Sequence, residues 1–80
     1  MGSTWPSLGA GKMLRLLTRQ LGYRVVSQRG SHKKLEADGR PTVIFSYHDG
    51  GTVSPRAVKD ILVRQVGLTL DEAKEVIGRA

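Results

Sequence analysis

"YRVVSQRGSHKKLEADGRPTVIFSYH", residues 23–48, holds three β-rich segments separated by two turn signals. YRVVSQ (23–28) and TVIFSYH (42–48) are rich in β-branched and aromatic residues, which suit a pleated, half-buried surface. HKKLEA (32–37) lies between them. Arg29, Gly30 and Ser31 form a tight turn, with Gly30 the residue to carry a positive φ. DGRP (38–41) forms a second turn, and its Asp-Gly pair is a strong hairpin signal. The stretch therefore predicts an antiparallel three-stranded meander.

Helices flank the meander on both sides. Met13, Leu14, Leu17 and Leu21 recur at helical spacing and predict a helix over residues 10–21, with Lys12, Arg15 and Arg19 on its solvated face. Gly22 ends it. Ser54 followed by Pro55 is a helix start, a hydroxyl cap before a residue that needs no N–H. Val58, Ile61, Leu62 and either Gln65 or Val66 line one face of that second helix, and Asp60 and Arg64 form an i, i+4 pair. Thr69 with Glu72 matches a capping box, opening a short third helix with Leu70, Ala73 and Ile77 inward. The expected architecture is α+β, in the order α-β-β-β-α plus a short C-terminal helix. The helices cover one face of the sheet and the other face stays open.

Eighty residues suffice for one small domain, read as residues 1–80 with a flexible lead-in over 1–7. Trp5 is expected to pack against the domain edge. The chain has no cysteine, so no disulfide or thiolate metal site, and two histidines are too few for a His-rich metal cage. No metal or other cofactor is expected. The N-terminal residues do not pattern as a signal peptide, and no apolar run approaches the roughly 20 residues of a membrane span. A reducing, cytoplasmic location fits this composition.

Net charge is +6 and unevenly placed. Residues 1–35 carry seven Lys and Arg and no acid; residues 36–80 carry six basic and seven acidic side chains, so the two halves are +7 and −1. A basic half on a small domain is an electrostatic footprint for a polyanion.

Strand parity places one histidine within that footprint. Leu35 is the one large apolar residue of HKKLEA, so it faces the helices together with Lys33 and Ala37. Lys33 then sends its stem inward and its ammonium to the rim. His32, Lys34 and Glu36 face the open side. An exposed imidazole can exchange protons near neutral pH, and Arg29, Lys33 and Lys34 surround it in sequence. That set suits RNA cleavage: imidazole takes the proton of a ribose 2′-hydroxyl while cations hold the phosphate. On residue types alone, such a histidine is more often plain surface. His48 falls on the same parity as Thr42, Ile44 and Ser46, but both faces of its strand are partly apolar. It is read as satisfying a loop rather than as a general acid, and Ser31 as a turn former.

The run LGYRVVSQRGSHKKL (21–35) resembles the HicA toxin family. The shared features are a leucine-rich helix ending in Gly22-Tyr23, a strand followed by Gly30-Ser31-His32, a later strand ending in His48, and the closing QVGLTLDEA. The resemblance covers about residues 8–77. It implies a double-stranded-RNA-binding-domain-like fold and a metal-independent endoribonuclease that cleaves messenger RNA. His32 takes the catalytic role, and a HicB-like antitoxin is the protein partner. The chain departs from the pattern at Ser46, where the family often has proline, and in the spacing of GGTVSPRAV. Arg29, Lys33 and Lys34 are the candidate phosphate contacts. Two rival readings remain: a non-catalytic RNA-binding module of the same fold, and a protein-interaction domain whose charge serves only its partner.

Overall fold

The computed structural model describes residues 5–80, so the flexible lead-in expected over residues 1–7 falls, for residues 1–4, outside the described residues. In chain order the elements are β1 (Leu8–Gly9), α1 (Ala10–Arg15), β2 (Arg24–Arg29), β3 (His32–Ala37), β4 (Arg40–Ser46), β5 (Thr52–Val53), α2 (Pro55–Lys59) and α3 (Leu70–Gly78). α1 runs on as a π-helical segment over Leu16–Gln20, and α2 does the same over Asp60–Gln65. The fold is α+β, consistent with the double-stranded-RNA-binding-domain-like α-β-β-β-α order.

The meander forms as its turn residues dictate. β2, β3 and β4 are antiparallel in that order, with Arg29 opposite His32 and Ala37 opposite Arg40. Each connection is therefore a two-residue turn. Gly30 has φ +61°, a left-handed conformation that a β-carbon would strain. The third strand begins two residues earlier than expected and ends at Ser46, because the Asp38-Gly39 turn is tighter than a four-residue DGRP turn. Tyr47 and His48 consequently lie in the following loop. β1 was not expected from the pattern of residues; it pairs antiparallel with β5 as Leu8 with Val53 and Gly9 with Thr52.

Both predicted helix caps are present. Ser54 Oγ accepts from the Ala57 N–H at 3.2 Å, beside Pro55 at the first helical position. Thr69 Oγ1 accepts from the Glu72 N–H at 3.1 Å, and the Glu72 carboxylate accepts from the Thr69 N–H at 2.9 Å. That backbone donor holds the Glu72 carboxyl below its ordinary pKa, aided by the Thr69 hydroxyl.

The helices cover one sheet face with a single buried cluster. Met13, Leu17, Leu35, Val43, Phe45, Val53, Val58 and Leu62 are its largest fully buried side chains. Each contributes roughly 1.5–3 kcal/mol of apolar burial. Tyr23 is buried too, and its hydroxyl donates to the Pro41 carbonyl at 2.7 Å. Burial pushes its phenol pKa up. Trp5 packs on the edge of the cluster, with the Lys59 ammonium 5.9 Å from its ring centroid.

Two helix faces differ from the expected periodicity. In the first helix Leu16 is buried and Leu14 only half-buried. The wider π-helical turns after Arg15 shift the phase of the apolar face away from a uniform 3.6-residue repeat. In α3, Ala73 and Val76 are buried, Ile77 is half-buried and Leu70 is exposed. Leu70 is the first helical residue, and its Cα–Cβ bond tilts back toward the N-terminus, off the core.

Candidate active site

Two short-range devices position the site. The Gly30-Ser31 turn places Arg29 directly opposite His32, and the Asp38-Gly39 turn fixes the register that places Ser46 on the other side of His32. One row across the sheet thus reads Arg29, His32, Ser46. The next row on the same face is Ser27, Lys34, Ile44. Directly opposed residues share a face of the sheet. This is the face the helices leave open, and all six residues are exposed. A shallow depression there is bordered by Ser27, Gln28, Arg29, His32, Lys33, Lys34 and Ile44.

The geometry around the imidazole is specific. His32 Nδ1 lies 2.9 Å from Ser46 Oγ. The Lys34 ammonium is 3.9 Å from the Glu36 carboxylate, an exposed contact that leaves it available to a stronger anion. Arg29 has no ion-pair partner among the described residues. An exposed imidazole with a guanidinium and an ammonium on the same surface can take a proton and hold a phosphate.

Lys33 faces the helices, as the parity set by Leu35 predicts. It sits on the inner face between Gln28 and Phe45, is 7 % exposed, and its ammonium reaches the rim 3.7 Å from Asp49. The pleat that sends Leu35 inward sends the Lys33 stem with it, and its ammonium meets an exposed carboxylate at the rim. Arg24 reaches the open face through an irregularity in β2. A register shift between Val25 and Ser27 makes Val26 an extra residue, and Arg24, opposite Glu36, shares the face of Ser27 and Arg29. His48 leaves strand parity altogether. It lies in the loop after β4, where its carbonyl accepts from the Gly51 N–H at 2.8 Å, and it borders a separate depression with Tyr47 and Asp49.

Ser46 is the residue that sequence reasoning missed as a member of the site. Its parity with Ile44 was available; its contact with His32 required the exact hairpin register.

A family model for the HicA toxin of bacterial toxin–antitoxin systems matches residues 11–68. The chain belongs to this family. The matched span contains the whole open-face arrangement, including Arg29, His32, Lys34 and Ser46, and ends before α3. Comparison with curated proteins and with solved structures gave no match. Membership of the HicA toxin family implies an antitoxin partner. Among the described residues, no group of three or more His, Cys, Asp or Glu side chains is arranged to hold a metal ion, and no helix is long and apolar enough to cross a membrane.

Proposed function

We propose that this HicA-family chain is a metal-independent endoribonuclease acting on messenger RNA, with His32 as its general base. The observation that carries the reading is the open-face row: an exposed imidazole with Arg29 directly opposite it and Lys34 on the same face. The base removes the 2′-hydroxyl proton. The 2′-oxygen then bonds to the adjacent phosphorus as the bond from phosphorus to the 5′-oxygen breaks. The 5′-oxygen leaves with a proton from water, giving a 2′,3′-cyclic phosphate and a free 5′-hydroxyl. Arg29 and Lys34 hold the phosphate and stabilise the charge that builds on it. General base catalysis of this kind contributes about 10²–10⁴-fold. A messenger-RNA substrate places the reaction in the cytoplasm.

A HicB-like antitoxin is the partner under this reading. An acidic surface on it would meet the basic open face and mask His32, with charge complementarity speeding the encounter.

The test is purified protein incubated with RNA and with a chelator, comparing the native chain with His32→Ala. Cleavage by the native chain alone, yielding cyclic-phosphate ends, supports the reading. Salt-dependent binding without cleavage by either protein supports instead the non-catalytic RNA-binding module.

A further inference from the structure

The β3–β4 register sets a neutral hydroxyl against one nitrogen of an exposed imidazole. Ser46 Oγ is 2.9 Å from His32 Nδ1, within ordinary hydrogen-bond range. The charged groups sharing that face are Arg29 opposite the ring, Lys34 two residues along, Glu36 engaged with Lys34, and Arg24 opposite Glu36 and paired with Asp38. None of these contacts a ring nitrogen; among the described residues the ring is hydrogen-bonded to Ser46 alone.

A serine hydroxyl can donate or accept, and the two polarities have different consequences. When the hydroxyl donates to Nδ1, the neutral ring carries its proton on Nε2, and neither nitrogen offers a free lone pair. When the hydroxyl accepts from Nδ1–H, the Nε2 lone pair is unengaged. The second polarity also survives proton uptake, because Nδ1–H persists in the imidazolium and the contact need not regroup. Which nitrogen carries the proton is set by the bond that the other makes.

We infer that Ser46 is a positioning residue: its hydroxyl accepts from His32 Nδ1–H and holds the ring in the tautomer whose Nε2 is free to act as base. This rests on the assignment of His32 as the general base. Ser46 itself touches no reacting atom. It has one side-chain torsion and lies at the end of a paired strand, so it orients the ring at little entropic cost.

The experiment reads tautomer and turnover separately. Ring ¹⁵N shifts of His32 are recorded above its titration range in the native chain, Ser46→Ala and Ser46→Thr, without RNA. The expected result is an Nδ1-protonated ring in the native chain and in Ser46→Thr, with the population moving to Nε2–H in Ser46→Ala. On RNA, Ser46→Ala lowers kcat roughly ten-fold, as loss of the hydrogen-bond partner that fixes a histidine tautomer does at metal sites. KM stays the same because the phosphate contacts are intact. Ser46→Thr, which keeps a hydroxyl, restores turnover. An Nε2-protonated ring in the native chain overturns the inference, as does a tautomer unchanged by Ser46→Ala. Failure of the base assignment looks different: His32→Ala then cleaves like the native chain, while the ring shifts still report on Ser46.

Discussion

The two faces of the same three strands obey different rules. On the inner face Leu35, Val43 and Phe45 are at most 1 % exposed and pack under the helices. On the outer face His32, Lys34, Ile44 and Ser46 alternate with them and remain in solvent. Successive residues of one strand thus serve stability and chemistry in turn. The lesson is that the site sits where the core makes no demand, so its side chains can be chosen for reactivity alone.

The largest separation of the two faces comes from truncating the inner one. Phe45→Ala is expected to lose about 3–5 kcal/mol of stability, a large share of the 5–15 kcal/mol typical of a domain, as a fall in the urea midpoint. On the outer face, His32→Ala is expected to leave that midpoint within about 0.5 kcal/mol while lowering RNA cleavage about 10²–10⁴-fold. A parallel loss of fold and cleavage in His32→Ala would erase the distinction between the faces.

The cations sharpen the comparison further. Arg29→Ala and Lys34→Ala should each weaken RNA binding and flatten its dependence on log salt by roughly 0.7–1, as removal of one phosphate contact does. Lys33→Met should leave that slope unchanged and be neutral to stabilising, because Lys33 lies on the inner face and its partner Asp49 is 97 % exposed in its side chain. A reduced slope in Lys33→Met would return that lysine to the RNA surface. The smallest effect lies away from both faces. Glu72 binds its proton more weakly in the folded chain than in the unfolded one, because the Thr69 N–H donates to its carboxylate. Its contribution is therefore present above the ordinary glutamate pKa and fades as pH falls through the lower folded value. Glu72→Gln should remove that part of the acid sensitivity, seen as a shallower loss of thermal midpoint below pH 5.

Much of this arrangement was legible in sequence for local reasons. Gly30, Asp38-Gly39, Ser54-Pro55 and the Thr69–Glu72 box are signals spanning four residues or fewer, and each forms the turn or cap it announces. The solitary Leu35 was enough to orient β3, and hence to place His32 outside and Lys33 inside. What stayed hidden depends on register or winding. The extra residue at Val26 reassigns Arg24, the π-helical turns bury Leu16 in preference to Leu14, and the Ser46 contact follows from an opposite strand. Ser46 is also where the chain departs from the pattern common in its family. The residue that departs from that pattern is the one in contact with the candidate base.

The pairing of β1 with β5 has a consequence for how the chain is made. Leu8 and Gly9 meet Val53 and Thr52, so this small ladder brackets the first helix and the entire meander. During synthesis Leu8 emerges long before its partner exists. The hairpins close over two-residue turns and can form as soon as their strands are out, whereas the ladder must wait and then close a loop of more than forty residues. The row holding His32 can therefore pair before the clasp that seats the two helix starts beside each other, with the Ala10 N–H on the Gly51 carbonyl.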